Sequence, residues 1–197
     1  MPDTEMPAAI THWLRAQGLS DQGAVASLFS VLYDQLKRRA HFVLDSAGGQ
    51  ATLNTTGLVN ETYLRLVEAG ELKIQNRRHF LALAAKTMRW VVIDSARARM
   101  RQRRGGGANH VSLDEAMVMS EERAEELLLL DASLERLAVL DERLAAVVEY
   151  RFYGGLGVEE TADALGVSTR TVKRDWRAAK AFLARSLTSS SGLQESE

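Results

Sequence analysis

A chain of 197 residues, 46% apolar and 26% charged, holds enough material for one large domain or two small ones and reads as a soluble globular protein. No apolar run approaches the length of a membrane span and the first residues lack the charged-then-apolar layout of a secretory signal, so a cytoplasmic address with no membrane partner is expected. Cysteine is absent, which excludes a disulfide scaffold, a thiolate zinc site, a cysteine nucleophile and control through the chain's own thiols.

In chain order, residues 1–9 read as a loose tail. Residues 10–17 are predicted as a short helix, with Ile10, Trp13 and Leu14 on its apolar side and Gly18 stopping it. Ser20 or Asp21 can cap a longer helix in which Val25, Leu28, Phe29, Leu32, Leu36 and Ala40 recur at helical spacing as far as Leu44. Residues 46–49 read as a turn. Residues 58–69 then form a compact amphipathic helix, with Leu58, Val59, Thr62, Tyr63 and Leu66 together and Gly70 ending it. The next helix, 79–103, gathers Phe80, Leu83, Ala84, Met88, Val91, Val92 and Ala96 on its apolar side and runs out through a basic tract into Gly105, Gly106 and Gly107. That triple glycine is the clearest boundary in the chain. Residues 108–119 show no sustained period and read as linker, and a second helical unit runs from about residue 120 to 187. The predicted class is all-α. Two small helical domains, 10–104 and 126–187, are joined by a flexible linker at 105–125, and a polar tail at 188–197 is expected to be disordered.

The net charge of −1 hides a division along the chain. Residues 77–104 carry nine Lys/Arg against one Asp, residues 112–149 carry eleven Asp/Glu against three Arg, and residues 169–185 carry six Lys/Arg against one Asp. Two basic stretches separated by an acidic one suggest two nucleic-acid contacts with a segment between them that avoids nucleic acid.

The second basic stretch has the form of a helix-turn-helix. Residues 158–165 make a short amphipathic helix, Gly166 ends it, and Ser168 caps a second helix. The tight crossing calls for a small residue, a turn glycine four positions on and a branched apolar residue six beyond that; Ala162, Gly166 and Val172 stand at those spacings. Val172, Trp176, Ala179 and Leu183 share one face of the second helix, while Arg170, Lys173, Arg174, Arg177 and Lys180 project from the others. Such a helix suits a DNA major groove; the alternative is an ordinary helical hairpin with a solvated basic face.

No catalytic constellation is visible. The glycine run lacks the Lys-Ser/Thr of a phosphate loop, and His12, His41, His79 and His110 fall at no metal-ligand spacing. Glu121-Glu122 and Glu159-Glu160 read as first-turn charges that complement a helix dipole. A non-enzyme with neither cofactor nor metal is expected.

Taken together, three stretches resemble the extracytoplasmic-function (ECF) sigma factors of bacterial RNA polymerase. LDERLAAVVEYRFYGGLGVEETADALGVSTRTVKRDWRAAKAFL resembles sigma region 4, LVNETYLRLVEAG resembles region 2.2, and HFLALAAKTMRWVVIDSARARMRQRR resembles regions 2.3 and 2.4, in the family's order. The resemblance covers about residues 10–187 and implies a transcription initiation factor whose partners are core RNA polymerase and promoter DNA. Region 4 binds the minus-35 element, which assigns Ser168, Thr169, Arg170, Thr171, Lys173 and Arg174 to base edges, with Arg177 and Lys180 on the backbone. Region 2.2 docks on the clamp helices of the polymerase's largest subunit, which assigns Leu58, Val59, Glu61, Thr62 and Arg65 to that contact. Regions 2.3 and 2.4 melt and read the minus-10 element. Arg78, Lys86, Arg89, Arg97, Arg99 and Arg101 could track phosphates there, while Trp90 is either a stacking surface for an unpaired base or a core aromatic. Asp94 is expected to be an internal ion-pair partner of these arginines, and the acidic stretch after the glycines stands where the family's linker threads the RNA path.

The chain departs from the family at one place. Many members carry an Asp-Ala-Glu-Asp cluster leading into the region 2.2 helix, and here Asn54-Thr55-Thr56-Gly57 stands there. One reading is that a Ser/Thr kinase restores the charge by modifying Thr56, with Thr55 second; the other is that Thr56 caps its helix. An anti-sigma factor is the alternative regulatory partner. The rival functions are a free-standing helix-turn-helix regulator, usually dimeric on a palindrome, and a module that sequesters polymerase without melting a promoter.

Overall fold

The computed structural model describes residues 21–44, 51–68, 77–103 and 119–191. The expected helix at 10–17, the turn at 46–49, the stop at Gly70 and the glycine linker lie outside the described residues. The elements are α1 (Asp21–Leu44), α2 (Ala51–Glu68), α3 (Arg77–Arg103), α4 (Glu121–Leu140), α5 (Glu142–Val148) continuing into a π-helical turn (Glu149–Tyr153), α6 (Val158–Leu165) and α7 (Thr169–Ser191). The all-helical class holds, with no strand among the described residues. α7 continues beyond Leu187 into the stretch read as tail, and α4 begins inside the stretch read as linker.

α3 is the centre of the molecule. It packs against α1, α2, α4, the π turn and α6. Its periodicity predicts one apolar face, yet Leu81, Ala82, Ala85 and Ile93 are buried as well as Phe80, Ala84, Met88, Val91, Val92 and Ala96. The additional burial follows from contacts on several sides: α1 and α2 come from its own unit, and α4 and the π turn from the C-terminal one. A single apolar core therefore runs from Leu28, Leu32 and Leu36 of α1 through α3 to Leu127, Leu134 and Leu137 of α4 and Ala179 and Leu183 of α7. Two backbone contacts tie the units further: Arg39 donates to the Arg151 carbonyl at 2.6 Å, and Arg123 to the Val43 carbonyl at 2.5 Å.

Local chemistry sets the C-terminal boundaries. The Ser120 hydroxyl accepts from the Arg123 amide and opens α4. Asp141 then ends α4 and caps α5, accepting from the Arg143 and Leu144 amides. The π turn closes with the Gly154 amide donating to the Glu149 carbonyl and Leu156 to Tyr150. Gly154 is required there: a Cβ would sit 2.7 Å from the Tyr150 carbonyl oxygen and 2.8 Å from the Ala85 Cβ. Gly166 ends α6 in the left-handed region, at φ 65°, and a Cβ placed on it would meet nothing within 4 Å. Gly154→Ala is expected to cost about 1–3 kcal/mol through overpacking against backbone. Gly166→Ala should cost about 1–2 kcal/mol from its dihedral alone. Urea unfolding of the two variants checks both.

Candidate nucleic-acid interface

The helix-turn-helix forms as its spacing predicts. Ala162, Val172 and Val147 of α5 make a small buried cluster, with Trp176 packed on it, so the α6–α7 crossing is fixed by small and branched side chains. Glu160 reaches back to the Gly157 amide at 2.9 Å, and the Ser168 hydroxyl accepts from the Thr171 amide at 3.1 Å. With Val172, Ala179 and Leu183 turned inward, Ser168, Thr169, Arg170, Lys173, Arg174, Arg177 and Lys180 are exposed and Thr171 is half-buried. Thr169, Arg170, Thr171, Lys173, Arg174 and Arg177 line one open concavity. Asp175, the single acid of this stretch, is buried and does not share that face. It pairs with Arg143 of α5 at 2.7 Å and with Arg174 at 3.0 Å. Its hydrogen bond and charge raise the pKa of the Arg143 guanidinium.

The residues expected to face the minus-10 element divide into two groups. Lys86, Trp90, Arg97 and Arg101 are exposed, and their spacing of four, seven and four residues puts them on one stripe of α3. Trp90 is 50% exposed, so its core-aromatic alternative does not hold. The guanidinium of Arg65, from α2, lies 4.7 Å from its ring centroid. Arg89, expected to track phosphates, does not join that stripe in this arrangement. It points to the C-terminal unit, with Nε and Nη2 on Asp131 at 2.8 and 2.7 Å and Nη1 on Glu149 at 3.2 Å. Burial opposes its charge, but the hydrogen bonds and charges of Asp131 and then Glu149 outweigh that and raise its pKa. Asp131 also stands 3.5 Å from Arg97. At the start of α3, Arg77 pairs with Glu160 at 2.5 Å and Arg78 with Asp163 at 2.8 Å; toward its end Arg99 lies 3.5 Å from Glu121. Asp94 has no ion pair among the described residues, and Asp131 takes the role expected of it. The Tyr153 hydroxyl, buried beside this network, has no hydrogen-bond partner among the described residues, and burial pushes its pKa up.

The α2 assignments also change. Leu58, Val59 and Thr62 are fully buried, and the Thr62 hydroxyl donates to the Leu58 carbonyl, so they hold α2 in place and present no docking surface. Glu61 and Arg65 are partly buried and form an ion pair at 2.6 Å. Asn60, Leu64 and Glu68 beside them are exposed, and Leu64, at 50%, is a surface apolar residue the periodicity placed on neither face. Because α2 starts at Ala51, Thr56 lies inside the helix and does not cap it. Thr55 is 2% exposed, which removes it as a modification site in this conformation, while Thr56 is half-buried.

Among the described residues no group of side chains could hold a metal, and no helix is long and apolar enough to cross a membrane. A helix-turn-helix with a basic outer face, joined to a bundle that displays a basic, tryptophan-bearing stripe, defines a helical DNA-binding protein. The sequence profile described as ECF sigma factor matches residues 7–189, and the chain belongs to that family. It is thus a sigma factor of transcription initiation, a class that works with RNA polymerase on promoter DNA. None of the curated proteins compared with it matches.

Proposed function

We propose that this chain directs core RNA polymerase to promoters through three surfaces. The outer face of α7 reads the minus-35 duplex, the α3 stripe holds the melted minus-10 strand, and the outer side of α2, with Asn60, Glu61 and Leu64, docks on the polymerase clamp. The observation that carries the reading is that one chain displays two basic faces of different kinds. One is a groove-shaped recognition helix and the other a cationic stripe with an aromatic in its middle. A free-standing dimeric regulator has no use for the second.

Arg170→Ala is expected to cost about 1–3 kcal/mol on the cognate duplex and relax selection at one base pair, whereas Arg177→Ala weakens all duplexes alike and lowers the salt slope by about one. Binding isotherms on a duplex library at several salt concentrations separate the two.

The proposed control is phosphorylation of Thr56 by a Ser/Thr kinase. Its support is the run Asn54-Thr55-Thr56-Gly57, which carries no carboxylate just before the docking face, together with the partial exposure of Thr56. Binding of the purified chain to core polymerase, as wild type, Thr56→Ala and Thr56→Glu, followed by promoter opening, tests both proposals. Tighter binding by Thr56→Glu supports the phospho-switch, and equal binding removes it. Failure of every form to bind removes the proposed docking of α2 on the polymerase clamp.

A further inference from the structure

Trp90 has a neighbour that its proposed role does not explain. The indole stands half exposed on the α3 stripe, yet the Arg65 guanidinium from α2 lies 4.7 Å from its ring centroid. Arg65 is held there by its own helix: its Nε donates to Glu61 at 2.6 Å, and Nη1 lies 3.5 Å from Glu68. With a carboxylate four residues before it and another three after, its charge is locally balanced, which makes it a poor phosphate contact as it stands.

Both restraints are weak. A cation over an exposed ring is worth about two- to fivefold in an equilibrium, and an i,i+4 ion pair along a helix about twofold. Stacking of one base on an aromatic side chain is worth about five- to 150-fold. An unpaired base therefore outcompetes the guanidinium for the indole. A base within a duplex already has its stacking partners and gains little by the exchange.

We infer that Arg65 is a displaceable lid on Trp90: an unpaired base takes its place on the indole. Arg65 is then a residue that reserves Trp90 for melted DNA. The inference rests on the reading of the α3 stripe as the contact for the melted strand, and its test separates the two.

The test uses the full chain with core polymerase, a short labelled single strand of mixed sequence, and an abasic strand of the same length. Both strands carry the same phosphates, so the ratio of their affinities isolates what the bases contribute. Removing an arginine also removes a charge, which weakens both strands together and leaves the ratio unchanged. Arg65→Ala is expected to raise the base-to-abasic ratio about two- to fivefold, the share of the lid. Trp90→Ala should lower the ratio by about five- to 150-fold, and in the double variant the Arg65 effect should vanish. A ratio that stays level or falls in Arg65→Ala, while Trp90→Ala lowers it, overturns the lid and leaves the stripe standing. If Trp90→Ala leaves the ratio unchanged, the stripe reading fails and takes the lid with it.

Discussion

Arg89→Ala is expected to lose about 3–5 kcal/mol of unfolding free energy, more than an exposed arginine could cost. The loss comes from what the guanidinium leaves behind. Asp131 and Glu149 are 5% and 9% exposed, and both turn toward Arg89. Without it two carboxylates share a dry site in which, among the described residues, only the exposed Arg97, 3.5 Å from Asp131, forms a further ion pair. A buried charge stripped of its partner keeps its full desolvation cost. The control replaces the whole group, Arg89→Met with Asp131→Leu and Glu149→Met, and should recover most of the loss, because an apolar set of similar volume is often no worse than a buried ion pair. Urea unfolding of the wild type, the single variant and the triple variant measures this. If Arg89→Ala costs less than about 1 kcal/mol, in the range of an exposed pair, the network is a surface contact and does not hold the units together.

What the sequence made legible, and what it hid, follows the range of the interactions. The helix-turn-helix is readable because its determinants are local: Ala162, Gly166 and Val172 at fixed spacing, a left-handed glycine, and Ser168 as cap. α1 and α3 are readable from their periods. The start of α2 escapes the periodicity because Asn54, Thr55, Thr56 and Gly57 are poor helix formers taken alone. They are helical in the folded chain, with Thr55 buried, since tertiary packing overrides propensity. The same override inverts the roles on α2. An amphipathic stripe marks the buried side, so Leu58, Val59 and Thr62 belong to the core, and the docking candidates are Asn60, Glu61 and Leu64 on the outer side. Arg89 resembles every other arginine of its tract, because its partners lie 42 and 60 residues away in sequence. No local pattern reports a contact of that length, and the acidic stretch gives no sign that two of its carboxylates are buried. The π turn is hidden for a related reason: it inserts backbone without changing composition, and only the glycines after it mark the place.

A short thiol-reactive bridge between Arg78→Cys and Asp163→Cys is expected to reduce promoter-directed run-off transcription to background while leaving duplex binding by α7 intact. The chain has no cysteine of its own, so the two new thiols react alone, and Arg78 and Asp163 already meet at 2.8 Å with both side chains about half exposed. The expectation follows from lengths. Elements centred about 25 base pairs apart lie about 85 Å apart along B-form DNA, at roughly 34–36 Å per turn. A compact chain of this length has a radius of gyration of about 16 Å. α3 and α6 touch in the structure, so the two DNA faces cannot reach both elements until the units part. Parting must break the Arg77, Arg78 and Arg89 pairs and open the shared core, and polymerase and promoter contacts have to supply that free energy. Arg78→Cys alone controls for the lost arginine, and a reducible bridge should give transcription back on reduction. If the bridged chain initiates as well as the reduced one, the units work without separating, and the promoter has to bend to bring its two elements onto a closed chain.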